Sequence, residues 1–376
     1  MKKLRVGVLY GGRSGEHEVS LASAAAVFQN LDPERYEAIP IRINKDGRWV
    51  LPSAAPQLTS AAAVIGALAT APGGSDGKVE GERDAQLVPR PSGQHRERSE
   101  LVAGVGLDVV FPTLHGPYGE DGTVQGLMEL ANVPYVGAGV LASAVGMDKA
   151  AMKLVFAAKG LPICDYEVVL KHEWRKNEHS VLHTVVNRLG FPVFVKPANL
   201  GSSVGISKAR HAVELRAAIA LAAEFDRKVI VEAAVPFARE IECSVLGNDE
   251  PEASVPGEIV PSREFYDYEA KYLDEGSVPL IPAPLSETQA AEVRALSIAA
   301  FKAIDGAGMA RVDFLLARDT GILYLNEVNT IPGFTTIGMY SKLWAASGLE
   351  FPRLIDRLIA LALERHAEKQ QLRTSM

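Results

Sequence analysis

The chain reads as a mixed α/β and α+β protein of several domains, and three observations predict it. Near the N-terminus, apolar runs alternate with helix-patterned stretches: residues 4–10, then 19–30, then 36–43. That order is the pattern of a doubly wound parallel sheet. Near the C-terminus, two short runs of alternating polarity flank Asp319-Thr320-Gly321, as an antiparallel hairpin requires. A length of 376 residues exceeds what one hydrophobic core usually supports, so two or three domains are expected.

Taken in order, the first strand (4–10) ends in Gly11-Gly12, the mark of a buried parallel strand entering a turn. A helix over 19–30 and a strand over 36–43 follow. Residues 52–99 are rich in Gly, Pro, Ser and charge without a clear period, and read as insertions around short elements. A third strand (109–113) leads through the loop 115–122 into a helix over 123–131. The first boundary is placed near 138–143. Beyond it come a helix over 149–159 and strands at 193–196, 205–207 and 229–231. The last region begins near 235, with strands at 241–246 and 258–260, a polar loop over 261–277, a helix over 287–304 and the hairpin. Leu354, Ile355, Leu358, Ile359 and Ala362 then recur at helical spacing, which predicts a packed terminal helix over 352–369. The expected domains are 1–140, 141–234 and 235–376.

Composition excludes several function classes. A net charge of −7 and a pI near 5.7 supply no attraction for nucleic acid or an anionic membrane. Cys164 and Cys243 form no CxxC pair, so neither a disulfide framework nor a zinc site is indicated. No apolar run approaches the roughly 20 residues that span a bilayer. The first residues lack the apolar core of a signal peptide. A cytoplasmic location is expected.

The hairpin carries the chemistry. Arg311, Asp313 and Leu315 alternate with Val312 and Phe314, and Gly321 supplies the left-handed turn position. Closing the loop between Arg318 and Ile322 sets Asp313 opposite Glu327 and Arg311 opposite Asn329, with side chains roughly 5 Å apart at Cβ. Oxygen donors without His or Cys suit a hard cation, Mg²⁺ above all, whose shell substrate phosphates complete. A solvated charged face, with Arg311 merely pairing Asp313, accounts for the same residues equally well.

Other segments add weight. Lys196-Pro-Ala-Asn-Leu-Gly201-Ser202-Ser203-Val-Gly205 joins two strands with a small loop whose N–H and hydroxyl groups can cover phosphate oxygens. Neither G-x-x-x-x-G-K-[ST] nor G-x-G-x-x-G occurs, so a Walker loop and a Rossmann dinucleotide site are disfavoured. Glu16 or Glu18, beyond the first strand, could anchor an ammonium; an acidic first helical turn explains them as well. His115 sits at a strand end, where it serves as a substrate contact or as a hydrogen-bonded loop residue. Asp121 or Thr123 fits a helix cap. The Phe265–Tyr272 stretch places tyrosines and a lysine in a loop suited to act as a lid.

In sequence order, GGRSGEHEVS, HGPYGEDGTVQG, MDK, VKPANLGSSVG, FYDYEAKY, RVDF and NEVNTIPGFT resemble the D-alanine–D-alanine ligases of the ATP-grasp superfamily, over residues 6–349 apart from 52–99. The resemblance implies three domains, with ATP held between the central and C-terminal ones. It implies that Lys149 and Lys196 hold ATP phosphates, with Ser202, Ser203, Lys271 and Asn326 nearby. It implies an adenine hinge over 232–235, contacting the base at Glu232, Ala233 and Val235, and a ribose contact at Glu240. Where some relatives carry a lysine, this chain has Ala233. Asp313, Glu327 and Asn329 match the ligands of two Mg²⁺ (or Mn²⁺) ions, Glu327 bridging them.

The same resemblance makes Glu16 the anchor of the first D-alanine's ammonium, with Ser202 and Tyr272 as its partners. Arg311 and the Gly333 amide resemble an oxyanion hole. His115, Lys271 and the Gly338-Met339 backbone fall at substrate positions, although relatives commonly have Ser where this chain has Gly338; Ser341 offers a hydroxyl nearby. The implied activity is ATP-dependent D-alanyl-D-alanine synthesis through an acylphosphate, for peptidoglycan precursors, by a homodimer that binds neither nucleic acid nor membrane. A D-alanyl-D-lactate ligase is the nearest rival and tends to lack the tyrosine at position 272. A ligase for another acid and a nucleotide-binding regulator without catalysis are the others, and no expected phosphate lysine or metal ligand is missing here.

Overall fold

The structure is a computed structural model that describes residues 2–58, 60–70, 82–92, 98–260, 278–335 and 338–373. Strand Leu4–Gly11 lies between Tyr36–Ile43 and Val109–Pro112 and runs parallel to both. Its apolar run reflects cover on both faces: Val6, Val8 and Leu9 are fully buried. The parallel core of the sheet is the expected one, and an antiparallel edge is added to it. Only a tight turn at Asp46-Gly47 separates Ile43 from strand Trp49–Leu51. A turn that short cannot make a crossover, so Trp49–Leu51 folds back antiparallel and Arg83–Asp84 adds to its edge. Within the 52–99 region Ala61 and Val64 are buried. Leu87–Arg90, Ser99–Val102 and Val105–Leu107 form a three-stranded sheet whose Leu101 and Leu107 enter the same core as Leu9 and Ile41.

A second, antiparallel sheet follows, ordered Ser207–Ala209, Val193–Pro197, Lys228–Ala233, Tyr166–Leu170. Val193 and Val195 face a core made with helices Glu178–Leu189 and Ala212–Phe225, which leaves Lys196 on the opposite face. The strand expected at 205–207 starts two residues later, because Ser202 and Ser203 take left-handed backbone (φ 50° and 59°) and the turn runs longer.

The third sheet is ordered Val278–Leu280, Gly257–Val260, Ala238–Gly247, Gly308–Ala317, Leu323–Asn329, with Glu252–Ala253 beside Ala238–Gly247. One face carries Ile241, Cys243, Val312 and Phe314 against helix Glu287–Ala303, whose start is fixed by a Ser286–Gln289 capping box. In the hairpin, Gly321 has φ 69° as expected. The loop, however, closes between Ala317 and Ile322, one residue earlier than anticipated. Near the turn Leu316 faces Leu323 and Phe314 faces Leu325; a bulge then inserts Asn326, after which Asp313 faces Glu327 and Arg311 faces Asn329. Two departures cancel, and the pairing at the chemical end is the expected one. The bulge also sets Asn326 and Glu327, consecutive residues, both half-buried between buried Leu325 and Val328.

Helix Phe351–Gln370 closes the molecule. Leu354, Ile355, Leu358, Ile359 and Ala362 are all buried, packed with Val6, Val8 and Phe111 of the first sheet and with Phe334.

Candidate functional site

Three rows of side chains cross the open face of the third sheet. Register places Ser244, Arg311 and Asn329 in one row, Glu242, Asp313 and Glu327 in the next, and Glu240, Leu315 and Tyr324 in the third. Rows two residues apart along a strand lie about 7 Å from one another. The Arg311 guanidinium grips Asp313 with two hydrogen bonds, Nε to Oδ1 and Nη2 to Oδ2, both 2.7 Å, and its Nε is 3.2 Å from Glu242 Oε2. Asn329 Nδ2 donates to Asp313 Oδ2 at 3.0 Å. Burial disfavours the Arg311 charge, but Asp313 and Glu242 outweigh that cost and raise its pKa further. Arg311 is a permanent cation.

The second sheet supplies lysines. Lys196 Nζ donates to Glu232 Oε2 at 2.5 Å and lies 3.5 Å from Asn326 Oδ1. Helix Lys149–Ala158 begins at Asp148, whose carboxylate accepts from the Ala150 and Ala151 amides. From its first position Lys149 donates to Leu200 O (2.7 Å), and its Nζ is 3.7 Å from Glu327 Oε2. One turn on, fully buried Lys153 reaches Glu232 Oε1 at 3.1 Å. Burial alone would raise the Glu232 pKa; Lys153 and then Lys196 overcome this and hold it at about 2. In the hinge beyond, the Ala233 and Ala234 amides bond Asp165 O and Pro192 O, and the chain passes through Val235 into the third sheet at Ala238.

Glu16 lies immediately before helix His17–Asn30 and makes no side-chain cap for it. Its carboxylate instead accepts from Ser202 Oγ across 186 residues of sequence. The left-handed Ser202 backbone makes that reach possible, and a side chain at Gly201 would strike Glu16 Oε2 at 2.8 Å. Glu18 is the residue that fits the helix-dipole account, pairing Lys45 at 2.6 Å in the first turn.

His115 is buried with both ring nitrogens engaged. Phe334 N–H donates to Ser23 Oγ (3.2 Å), Ser23 meets His115 Nε2 (3.1 Å), and His115 Nδ1 meets Ile331 O (3.1 Å). This order makes Nδ1 the protonated nitrogen. Burial lowers the His115 pKa to about 4, so the ring is neutral. It braces the backbone on either side of Gly333. Glu120 does the same from the next turn, accepting from Gly116 N (2.7 Å) and Ile331 N (3.2 Å); burial, reinforced by Glu16, raises its pKa to about 8. Asp121 accepts from the Tyr118 and Thr123 amides, but the N-cap of helix Thr123–Leu130 is Gly122 and no side chain caps that helix, so neither Asp121 nor Thr123 is the cap expected from the sequence. Gly338 precedes helix Met339–Ala346, and a Cβ there would lie 2.5 Å from Gly333 O and 3.1 Å from Thr335 O, so this backbone leaves no room for a side chain at 338. The Met339 side chain is buried with Ile259 and Leu343, leaving only its backbone for a ligand. Lys271, Tyr272 and the rest of the expected lid (263–277) lie outside the described residues.

Sequence reasoning passed over Lys153, Glu242, Ser23 and Glu120. Lys153 was detectable as a lysine four residues after Lys149 on an otherwise apolar helix stripe, and Glu242 as the acid two before Ser244 on an alternating strand. Ser23 looks like an ordinary helix residue and carries no local signal.

Among the described residues no three His, Cys, Asp or Glu groups stand ready to hold a metal by themselves. The donor set nevertheless fits a hard cation. Asp313 and Glu327 face one another, each carboxylate offers about four acceptor sites, and the Asn329 carbonyl adds a neutral oxygen. Such a half-shell is what Mg²⁺ or Mn²⁺ uses when phosphate oxygens complete the coordination.

Comparison with known proteins bears on the family. Residues 5–138 match the family model "D-ala D-ala ligase N-terminus", and 155–360 match "D-ala D-ala ligase C-terminus". The chain is 50% identical to the D-alanine–D-alanine ligase of Thermoanaerobacter sp. (strain X514), covering 98% of this chain and 99% of that one. It is 51% identical to that of Geobacillus thermodenitrificans, covering 98% of each. Among solved structures, the D-alanine-D-alanine ligase of Coxiella burnetii superposes with a TM-score of 0.82 at 36% identity, covering 99% of this chain and 97% of that one. The VanG D-Ala:D-Ser ligase of Enterococcus faecalis gives 0.80 at 32% identity, covering 96% and 100%. With the ATP-grasp architecture of its structural neighbours and family matches along nearly its whole length, the chain belongs to the D-alanine–D-alanine ligase family.

Proposed function

We propose that the protein joins two D-alanines into D-alanyl-D-alanine at the expense of ATP, for peptidoglycan precursor synthesis. The observation that carries this reading is the convergence of Arg311, Asp313, Glu327 and Asn329 on one sheet face, in a chain about 50% identical to D-alanine–D-alanine ligases. ATP lies between the second and third sheets, its adenine at 232–235, its ribose at Glu240 and its phosphates near Lys149, Lys196, Ser202, Ser203 and Asn326. Asp313, Glu327 and Asn329 would hold two Mg²⁺ ions, which would supply neutralisation of phosphate charge. The division into domains 1–140, 141–234 and 235–376 follows from the same reading.

Glu16 pairs with the ammonium of the first D-alanine, and Ser202 holds that carboxylate in place. The substrate carboxylate oxygen attacks the γ-phosphorus, ADP leaves, and an acylphosphate results. The second D-alanine enters as the neutral amine, its carboxylate near Lys271 and the Gly338-Met339 backbone. Its nitrogen attacks the acyl carbon. Arg311 Nη1, on a guanidinium whose Nε and Nη2 are committed to Asp313, and the Gly333 amide receive the developing oxyanion. Phosphate then departs as the amide forms. Tyr272 and its loop exclude water, which would otherwise hydrolyse the acylphosphate. We place the enzyme in the cytoplasm as a homodimer; no helix among the described residues is long and apolar enough to cross a membrane.

Phosphate release from ATP and Mg²⁺, measured with D-alanine, D-serine, D-lactate and L-alanine as second substrate, tests the reading. D-alanine should be the preferred partner and D-alanyl-D-alanine the product. Absence of D-alanine-dependent phosphate release would refute the assignment.

A further inference from the structure

Helix Lys149–Ala158 buries Lys149, Met152, Lys153 and Phe156, the i, i+3, i+4, i+7 stripe that normally faces a core. Two of those four positions are lysines. Lys149 reaches Glu327 and the Leu200 carbonyl. Lys153, with no exposure at all, reaches Glu232 instead. A buried ammonium is strongly disfavoured without a counter-charge. The counter-charge here is Glu232, and it is shared: Lys153 lies 3.1 Å from Oε1 while Lys196 takes Oε2 at 2.5 Å.

Within the trio of Lys153, Glu232 and Lys196, one carboxylate between two ammoniums leaves a charge of +1, which salt screens poorly at this burial and on which Glu327 acts from outside. Were Lys153 absent, Glu232 would be opposed by Lys196 alone and the cluster would be neutral. We propose that Lys153 is a positioning residue for the nucleotide: it occupies one oxygen of Glu232 so that Lys196 keeps an unneutralised charge to present to the triphosphate. The inference rests on the reading of Lys196 as a phosphate contact. Lys153 itself acts through Glu232 and Lys196 and touches no substrate.

The test uses the full-length protein with Lys153→Met, Lys153→Gln and Lys153→Arg. KM is measured separately for ATP and D-alanine, with ADP binding by calorimetry without D-alanine. Removing the charge should raise KM for ATP and the ADP dissociation constant about tenfold or more, while KM for D-alanine stays within about twofold. Lys153→Arg, which keeps the charge, should stay within about threefold of the parent on every measure. If Lys153→Met does not fold, Lys153→Gln, which retains a donor toward Glu232, carries the measurement. Unchanged nucleotide affinity in the neutral variants, or equal changes for both substrates together with a loss of thermal stability, would overturn the proposal and leave Lys153 a structural tie. A parent protein without ligase activity would count against the function, whereas ADP binding would still decide the role of Lys153.

Discussion

Asp313 is bound by Arg311 through both carboxylate oxygens, yet the proposed function asks it to hold a cation as well. The two demands are compatible because an ionised carboxylate accepts more than one partner per oxygen, and the Arg311 pair fixes the rotamer that faces Glu327. Glu327→Ala and Asn329→Ala should each lower turnover by on the order of a thousandfold by removing cation ligands. Their circular dichroism and melting temperature should stay near those of the parent; retained turnover would mean that the metal assignment is wrong. His115 supports a second prediction. Its folded pKa, about 4, lies below the unfolded value of 6.5, so the unfolded chain binds the extra proton first as pH falls. The stability linked to this residue is complete above about pH 6.5 and is lost on acidification toward pH 4, a total of about 3 kcal/mol. Melting curves of parent and His115→Gln from pH 7.5 to 4.5 should therefore converge on the acid side. Parallel curves would show that the ring is not buried neutral.

At the scale of elements, two features were written in the sequence only in part. The hairpin was legible because alternation and Gly321 are local signals. Its bulge was not, since an inserted Asn326 leaves no mark beyond one break in period two. The 201–205 loop was legible as a small Gly-Ser turn from its own residues, and as a bridge to Glu16 only through the family resemblance. Ser202 holds a left-handed conformation that costs of order 1 kcal/mol for a residue with a side chain, and its bond to Glu16 is what that strain secures. Ser202→Ala should consequently raise KM for D-alanine about tenfold as Glu16 loses its orientation. Steady-state kinetics with ATP saturating would read this directly, and an unchanged KM would show the Glu16–Ser202 bond to be incidental.

For the molecule as a whole, the site depends on segments far apart in the chain. The backbone flanking Gly333 is held at Ile331 by His115 and Glu120 and at Phe334 by Ser23, and Phe334 packs against Phe111 at 5.6 Å between ring centroids. The terminal helix lies over the same cluster. Loosening that helix should therefore unsettle the Gly333 backbone as well as the fold. Leu358, fully buried, is the probe: Leu358→Ala should cost about 2–5 kcal/mol in urea denaturation. A loss under about 1 kcal/mol, below the usual range for a buried leucine, would mean that the helix is not part of the common core.

What the sequence alone determined was local and periodic: the parallel strand at residues 4–10, the terminal helix stripe, and the facing of Asp313 with Glu327 and Arg311 with Asn329. Side-chain alternation and helical spacing are enforced by backbone geometry within a few residues, so they can be read without the fold. Tertiary structure alone decided that Ser23 and His115 brace Phe334 and that Lys153 shares Glu232 with Lys196, and it supplied the backbone that lets Ser202 meet Glu16, a pairing the residues' own spacing does not show. Those contacts join segments dozens to hundreds of residues apart, where no rule of spacing operates. Their partners are chosen by how the three sheets and the last helix bury their apolar faces against one another.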